Sequence, residues 1–513
     1  MFVAIFVSYI TFSMRNIPGL LFFFCISSYQ LMAQIFPTEG SSVNYRLVGF
    51  NFPLPADGNC RLEVATGNIN TEDSFISNII FSKDCTKNKI IAEVPAFGRQ
   101  YTWRIVSAGN KQIKNNFHHF STGIIPNVDT SKRRLRVLKK AETFKDAYVF
   151  IDGTRVLYDM NGSPVWFLPN IEHFTNDNFE VRDMKLTPQG TVTFIIGENA
   201  YEVDYNAAIL WKAPNNGAVN GGKSELYHHK ITRLANGHYM VLGNEIDFWN
   251  PQFLSIRDSS YAISRDNKNR NLSVPFGTVI EYDEKGSIIW SWKSRDYFKS
   301  SDVYYHKGRG GVADIVPHEN AFYFDENAKV IYVSFRNISR IVKVKYPEGN
   351  VLSTYGEIFE PNNPEKGNGL FCHQHSCGIS DQGYLYLFNN NVCNEGALPS
   401  VLMMQEPVAG KGGLKKIWEY ACPIDGVDDT SIHPKYIFSS GGNVVELPGH
   451  SFFVSMCASF YSKVFIVSKD KNVLWSAIPE TKNEATEKWG MTSFYEANII
   501  KSPELLENFI WHK

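Results

Sequence analysis

The feature that most constrains the fold is a short pattern that recurs through most of the chain. Each copy has a turn with a polar tip, an apolar strand and an aromatic residue, as in LYDMNGSPVWF, EVDYNAAILWK, EYDEKGSIIWSW, KVKYPEGNVLSTY and VSKDKNVLWSA. The segment GGLKKIWEY at 412–420 is a weaker copy. Most copies follow another hairpin whose turn carries Gly or Asn, such as LANGHYMVLG or SDQGYLYLF. Two hairpins in succession predict four antiparallel strands per copy.

The aromatic residues that end the copies give the number of repeats. They are Trp166, Trp211, Trp290, Tyr355, Trp418 and Trp475. Radial repetition protects sheet edges, so the pattern predicts an all-β fold with a six-bladed β-propeller over residues 126–513. The C-terminal segment TSFYEANIIKSPELL is predicted to supply a last strand that closes the ring.

A second, smaller domain is predicted ahead of the repeats. Residues 34–125 contain short alternating strands bounded by turns, including CRLEVATG and YTWRIVSAG. Such spacing predicts a small β-sandwich, and YTWRIVSAG resembles the late strand of a fibronectin type III module.

Residues 1–33 have the composition of a secretory signal. Two apolar runs are separated by Arg15 and Pro18, and the second ends in Leu31-Met32-Ala33, which suits cleavage. Neither run reaches the roughly 18–20 apolar residues of a bilayer span. We therefore expect translation to start at Met1 or Met14 and the protein to be periplasmic or otherwise extracytoplasmic, with no stable membrane span. An uncleaved anchor that spans both runs is the alternative.

Loss of the signal leaves seven cysteines: Cys60, Cys85, Cys372, Cys377, Cys393, Cys422 and Cys457. In an oxidising compartment some are expected to form disulfides, and the odd number leaves at least one free. We expect Cys60 to pair with Cys85 because both lie in the small first domain.

The charge balance argues against nucleic acid as a partner. The chain has 51 basic and 52 acidic residues and a formal net charge of −1, so no global field draws it to a polyanion or an anionic membrane. The basic run SKRRLRVLKK at 131–140 alternates with apolar residues and is interpreted as a solvated strand or linker.

Histidines recur at one level of three predicted blades. Folding each hairpin about its turn places His228 and His229 near Asn244, His318 opposite Phe335 and Arg336, and His375 opposite Phe388 and Asn389. Because the inner ends of propeller blades converge, these side chains are expected to form one pocket. An arginine among histidines suits an anion.

Two other interpretations of the histidines stay open. Each histidine could be a packed polar group, which is the more common role of a single histidine at a strand end. His373 and His375 share one face of a strand and could hold zinc with His318. The histidine motifs contain one carboxylate, Glu319, which is expected to point away from His318, so no metal site is predicted.

Three blocks carry a resemblance to a known family. The segments YHHKITRLANGHYMVL, DIVPHENAFYFDENAKVIYVSFRNISRIVKV and HQHSCGISDQGYLYLFNNN resemble signature blocks of the bacterial arylsulfate sulfotransferases, over most of 126–513. The resemblance implies a ping-pong transfer of a sulfuryl group from a phenolic sulfate ester to a phenol, without metal or organic cofactor. Two positions depart from the family pattern: Lys230 stands where Asp is usual, and Ala321 where Ser is common.

The resemblance also implies residue roles. His375, which follows Gln374, would be the nucleophile that becomes sulfated. The residues that would bind the sulfuryl oxygens or assist the leaving phenol are His228, His229, His318, Asn320 and Arg336. His373 and Asn389, on the same strand pair as His375, are predicted to contact substrate. Fixed donors suit the negative charge of a sulfuryl group in transfer, as in phosphoryl transfer.

Two further functions remain open at this stage. One is a secreted, non-catalytic propeller that binds an anionic or aromatic ligand. The other is a metal-dependent hydrolase or lyase on the same fold, since fold alone does not fix reaction type. The cellular donor and acceptor, and whether the chain forms a homodimer, are left open.

Overall fold

The structure is a computed structural model. It describes the following residues: 35–55, 58–107, 116–124, 132–174, 180–249, 255–256, 272–298, 304–307, 313–314, 316–356, 370–392, 397–408, 413–426, 441–457 and 461–512. The predicted secretory signal and the predicted boundary between residues 125 and 126 lie outside these ranges, as does Cys393.

The N-terminal part consists of two sheets and one short helix. Its elements are β1 (Ser41–Val43), β2 (Leu47–Asn51), β3 (Cys60–Thr66), α1 (Glu72–Ser77), β4 (Ile79–Cys85), β5 (Lys89–Glu93), β6 (Gln100–Ser107) and β7 (His118–Thr122). One sheet has the order β1-β7-β6-β3-β4 and the other pairs β2 with β5. Alternate apolar residues of both sheets share a core in which the rings of Phe50 and Trp103 meet edge to face at 5.2 Å. This agrees with a small sandwich, while the fibronectin type III resemblance stays a prediction.

Six sheets follow one another along the rest of the described chain. The strands are β8 (Arg133–Lys139), β9 (Tyr148–Ile151), β10 (Val156–Asp159), β11 (Pro164–Phe167), β12 (Val181–Leu186), β13 (Val192–Ile196), β14 (Asn199–Val203), β15 (Ile209–Lys212), β16 (Ile231–Arg233), β17 (Tyr239–Trp249), β18 (Ser255–Ile256), β19 (Leu272–Tyr282), β20 (Ile288–Lys293), β21 (Tyr304–Lys307), β22 (Ala313–Asp314), β23 (Glu319–Asp325), β24 (Val330–Phe335), β25 (Arg340–Lys345), β26 (Val351–Tyr355), β27 (His375–Ile379), β28 (Leu385–Asn389), β29 (Ser400–Gln405), β30 (Lys415–Ala421), β31 (Asn443–Leu447), β32 (Ser451–Met456), β33 (Lys463–Val467), β34 (Val473–Lys482), β35 (Trp489–Met491) and β36 (Ala497–Ile500). Helix α2 (Ser294–Tyr297) and helix α3 (Pro503–Trp511) complete the list, with a 3-10 turn at Asp152–Thr154.

The sheet orders match the predicted repeat. They are β36-β9-β10-β11, β12-β13-β14-β15, β16-β17-β19-β20, β23-β24-β25-β26, β27-β28-β29-β30, and β31-β32-β33-β34 with β35 and β8 beyond it. Strands β18, β21 and β22 form a small additional sheet. The six aromatic residues that were used to count repeats lie one on each large sheet, on its fourth strand. The all-β prediction is confirmed.

The two ends of the repeat region meet in one sheet. Strand β36, within the predicted segment TSFYEANIIKSPELL, pairs antiparallel with β9, with Ala497 opposite Ile151. The basic run at 131–140 is a strand, β8, which pairs with β34. Closure into a complete six-bladed ring stays a prediction.

The core is continuous from the N-terminal sheets into the repeats. Tyr45 stacks on Tyr205 at 4.2 Å, and the indole N–H of Trp166 donates to the carbonyl of Tyr205 at 2.8 Å. Phe509 of α3 packs edge to face on Tyr205 at 4.7 Å. The first two large sheets therefore share their apolar core with the N-terminal sheets and with α3.

The predicted disulfide between Cys60 and Cys85 is not made in the structure. The two residues lie directly opposite each other on β3 and β4, but neither forms a disulfide. The thiol of Cys60 instead donates to the carbonyl of Cys85 at 3.2 Å. Among the helices in the described ranges, none is long and apolar enough to cross a membrane.

Candidate active site

The histidines predicted from three blades come together. The rings of His229 and His318 lie 5.2 Å apart between centroids. The ring of Tyr495 lies 5.3 Å from His229 and 5.9 Å from His375, so a tyrosine from the C-terminal segment joins the group. Arg336 contributes a positive charge that acts on both His318 and His375. Histidines from separate sheets therefore meet in one cluster, as the sequence predicted.

Local backbone geometry turns these side chains inward. His229 and His318 have φ values of 58° and 60°, in the left-handed region that non-glycine residues rarely adopt. The strand that begins at His375 has a bulge between His375 and Cys377, where Ser376 has a φ of 53°. Bulges re-aim side chains at the ends of strands. Such geometry has a cost in conformational energy and is concentrated at functional sites.

His375 has both ring nitrogens engaged. Its Nδ1 lies 2.7 Å from Oδ1 of Asn390, and its Nε2 accepts the backbone N–H of Gly441 at 3.1 Å. The amide nitrogen of Asn390 donates to the carbonyl of Gly441 at 2.9 Å, which fixes the orientation of the amide. Since Oδ1 of Asn390 can only accept, His375 carries its proton on Nδ1 and has its lone pair on Nε2.

His228 and His229 form a chain with Glu319. Oε1 of Glu319 and the carbonyl of Gly243 both lie 3.2 Å from Nε2 of His228. The Nδ1 atoms of His228 and His229 are 2.6 Å apart, and Nε2 of His229 lies 3.5 Å from the guanidinium of Arg182. Glu319 was expected to point away from His318, and it contacts His228 instead.

Burial and positive neighbours keep the pocket histidines neutral. Burial is the main cause that lowers the pKa of His375, to about 3, and Arg336 adds to it. Burial also lowers the pKa of His229 and of His318 well below the usual value, with contributions from Arg182 and from the other histidines. Fixed positive charge at the site therefore comes from Arg182 and Arg336, and the imidazoles are unprotonated at neutral pH.

Two of the predicted contact residues, Asn320 and Asn389, bind backbone groups with their side-chain amides. The amide of Asn320 is fully buried and donates to the carbonyl of Gln374 at 2.8 Å. Oδ1 of Asn389 accepts the N–H of Cys372 at 2.9 Å. The backbone N–H of His373 donates to Ser339 Oγ at 3.1 Å. These bonds position the segment that leads into His375.

A buried charge network lies directly behind the histidines. The ammonium of Lys230 contacts Oε2 of Glu496 at 2.5 Å and Oδ1 of Asp183 at 3.1 Å. Asp183 also pairs with Lys185 at 2.6 Å and accepts the N–H of Ile231 at 2.9 Å. Burial raises the pKa of Glu496 to about 7. Lys230, a departure from the family pattern, is thus neutralised by Asp183 of β12 and by Glu496, which directly precedes β36.

Four residues of the site were missed from sequence: Arg182, Asn390, Tyr495 and Glu496. Arg182 could have been found, because RDMKLTPQG and HSCGISDQG align about their turns and place Arg182 at the repeat position of His375. The guanidinium of Arg182 lies over the ring of Tyr495, 4.7 Å from its centroid. Tyr495 follows no repeat motif, and only the return of the C-terminal segment to the first sheet brings it here.

Comparison with known proteins agrees with this geometry. The family model described as arylsulfotransferase (ASST) matches residues 128–407, which is more than half of the chain. The chain belongs to the arylsulfotransferase family. The matched residues include His228, His318 and His375.

Solved structures give only distant similarity, and no curated protein matches the chain. A Bacteroides caccae protein of unknown function is 12% identical, with a TM-score of 0.37 over 69% of this chain and 98% of its own. The periplasmic gluconolactonase PpgL of Pseudomonas aeruginosa is 11% identical, with a TM-score of 0.35 over 72% and 99%. The β-propeller domain of Cps50 (Swd1) from Myceliophteria thermophila is 8% identical, with a TM-score of 0.31 over 61% and 96%.

Proposed function

We propose that this arylsulfotransferase moves a sulfuryl group from a phenolic sulfate ester to a phenol in two steps, through a covalent intermediate on His375. The observation that carries the proposal is the meeting of the rings of His229, His318 and His375 around Tyr495, with the guanidinium of Arg182 3.5 Å from His229. The charge of Arg336 acts on His318 and His375, and burial lowers the pKa of all three histidines. A neutral imidazole is nucleophilic near pH 7 without a separate base. Two arginines can stabilise the charge on the equatorial sulfuryl oxygens.

In the first step Nε2 of His375 attacks sulfur, the bond from sulfur to the aryl oxygen breaks, and the phenolate leaves with the bonding electrons. The proton on Nδ1 stays in place, so the sulfated ring is cationic and Oδ1 of Asn390, at 2.7 Å, stabilises it. In the second step the acceptor phenol gives its proton to a base and its oxygen attacks sulfur. The bond between Nε2 and sulfur then breaks and His375 returns to its neutral form.

This reaction requires a change at Gly441. Its N–H occupies the Nε2 lone pair of His375 at 3.1 Å, so the donor must displace this hydrogen bond before attack. Gly441 and Gly442 have φ values of 77° and 115°, which only glycine adopts readily, and the pair can reorient at low cost. We propose that donor binding moves the N–H of Gly441 away from His375.

We also propose a closed ring for the six large sheets, with the N-terminal sheets as a fibronectin type III-like module in front of it. Pairing of β36 with β9 supports closure. Export through the predicted signal at residues 1–33 would place the enzyme outside the cytoplasm, and the phenolic sulfates and phenols of that compartment would be its small-molecule partners.

The test is sulfuryl transfer from 4-nitrophenyl sulfate. Release of nitrophenol should require an added phenol, and brief exposure to donor alone should add one sulfuryl group to the peptide that contains His375. His375→Ala should abolish both, whereas His450→Ala, on a distant turn, should behave as wild type. Addition of the group to His229 would overturn the assignment of the nucleophile. Hydrolysis that does not depend on phenol would indicate a sulfatase, and binding without turnover would indicate the non-catalytic alternative.

A further inference from the structure

We propose that Glu319 is a positioning residue that acts through His228 to make Nε2 of His229 the proton acceptor for the incoming phenol. The inference rests on the proposed transfer reaction and deepens it, since it assigns the base of the second step. The observation that carries it is the chain of contacts from Glu319 Oε1 to His228 Nε2 at 3.2 Å and from His228 Nδ1 to His229 Nδ1 at 2.6 Å.

The positions of the protons on His228 and His229 follow from which neighbouring atoms can donate a hydrogen bond and which can only accept one. Nε2 of His228 faces a carboxylate and a backbone carbonyl, both of which only accept, so it carries the proton. Nδ1 of His228 then has a lone pair, and the short contact at 2.6 Å requires His229 to donate from its own Nδ1. Nε2 of His229 is left with a lone pair. It faces Arg182, whose guanidinium can only donate, which agrees with this assignment.

The fold holds Glu319 in place. Its side chain is 3% exposed and lies against Gly277 of β19, where a Cβ would be 2.0 Å from its Cδ. Any other residue at position 277 would therefore displace the carboxylate. The second oxygen of Glu319 is buried without a hydrogen-bond partner, so the contact to His228 is its main polar interaction among the described residues.

The contacts from His229 through His228 to Glu319 also give a way to avoid a positive charge on His229. The groups that face His229 are His228, Arg182, His318, His375 and Tyr495, and a positive charge on His229 is disfavoured beside Arg182. A proton that arrives on Nε2 of His229 can be balanced by transfer from its Nδ1 to Nδ1 of His228, and from Nε2 of His228 to Glu319. The three transfers leave both rings neutral and place the added proton on the carboxylate of Glu319.

Glu319→Gln tests the proposal because an amide cannot take the proton that Nε2 of His228 passes on. A proton accepted by His229 then leaves a positive charge on the two rings beside Arg182, so His229 becomes a poor base. Formation of the sulfated enzyme from 4-nitrophenyl sulfate should persist, while transfer to phenol should fall about 10²-fold, as expected for loss of general base catalysis. Transfer to a nitrophenol that is already ionised at the assay pH should stay close to wild type.

Matched variants separate positioning from general damage. Gly277→Ala should show the same selective loss of transfer to neutral phenol, because the added methyl group moves the carboxylate of Glu319. Glu319→Asp keeps a carboxylate and should be more active in this transfer than Glu319→Gln. Glu281→Gln removes a buried carboxylate from another histidine, His238, at 2.7 Å, and should leave transfer unchanged. Equal loss for ionised and neutral acceptors in Glu319→Gln, or no loss, would overturn the relay. If wild type itself forms no sulfated enzyme, it is the proposed function that fails.

Discussion

Replacement of Lys230 by methionine should destabilise the protein in a way that depends on pH. Lys230 is 7% exposed and is the cation that contacts Oε2 of Glu496 at 2.5 Å. Asp183 keeps Lys185 and the N–H of Ile231 after the change. Glu496 keeps only the weaker effect of the charge of Lys185, and its other oxygen, Oε1, is buried without a hydrogen bond.

The magnitude follows from the state of Glu496. Removal of one partner of a buried ion pair costs about 3–5 kcal/mol when the other stays charged. When Glu496 is protonated, the loss is that of a hydrogen bond, about 1–3 kcal/mol. The folded-state pKa of Glu496 is raised to about 7 from 4.5, and without Lys230 it rises further. A carboxyl with a raised pKa contributes stability below its unfolded value and loses it as pH rises through the folded value. We therefore expect the larger cost at pH 8 and the smaller cost at pH 5.

The loss of unfolding free energy in Lys230→Met can be measured at pH 5 and at pH 8 by urea denaturation, with tryptophan fluorescence as the signal. Lys230→Met/Glu496→Gln should be more stable than Lys230→Met alone at pH 8, because no uncompensated charge is left. Lys345→Met, which breaks an exposed pair with Glu348, is the control and should show no such pH dependence. Equal destabilisation by Lys230→Met at both pH values would refute the account.

Three further predictions concern the site and the core. The pKa of His375 is lowered to about 3, so its imidazole should show no titration by NMR between pH 5 and 8. A histidine in the unfolded chain titrates at about pH 6.5. The stability that His375 contributes is therefore present above about pH 6.5 and is lost as the pH falls from there to about 3. Asn390→Leu removes the acceptor that lies 2.7 Å from Nδ1 of His375 and the amide that donates to the carbonyl of Gly441. It should cost about 1–3 kcal/mol in urea denaturation, with loss of the sulfated intermediate in mass spectra. Trp166→Ala removes a fully buried indole from the core that the N-terminal sheets share with the repeats. The free energy of unfolding, measured by urea denaturation, should fall by about 3–5 kcal/mol. A loss below about 1 kcal/mol would argue that the two parts do not share a core.

The repeats could be predicted because each hairpin carries its own signals. Turn residues such as Asn236 and Gly237 and the alternation of apolar residues are local, so they fix strands and hairpins without knowledge of distant contacts. The aromatic that ends each copy falls on the fourth strand of its sheet for the same reason. The meeting of His229, His318 and His375 followed from repeat symmetry, since equivalent positions of similar units converge.

Contacts that lie outside the repeat could not be predicted from the repeat pattern. Tyr495 and Glu496 reach the pocket because β36 returns to the first sheet, which is a contact across almost 350 residues of chain. The hydrogen bond from Gly441 to His375 and the position of Glu319 over Gly277 depend on side-chain and backbone distances of a few tenths of an ångström. No periodicity encodes such distances.

By itself, the sequence determined the all-β class, the number of repeated hairpin pairs, the family resemblance and the histidines and Arg336 that meet in the pocket. Only the tertiary structure decided which ring nitrogen of His228, His229 and His375 has the lone pair. It also decided that Arg182 and Tyr495 complete the group, and that the side chains of Asn320 and Asn389 bind backbone groups. The physical reason is that hairpin formation is governed by local preferences, whereas protonation and hydrogen-bond partners are set by neighbours that come from other sheets.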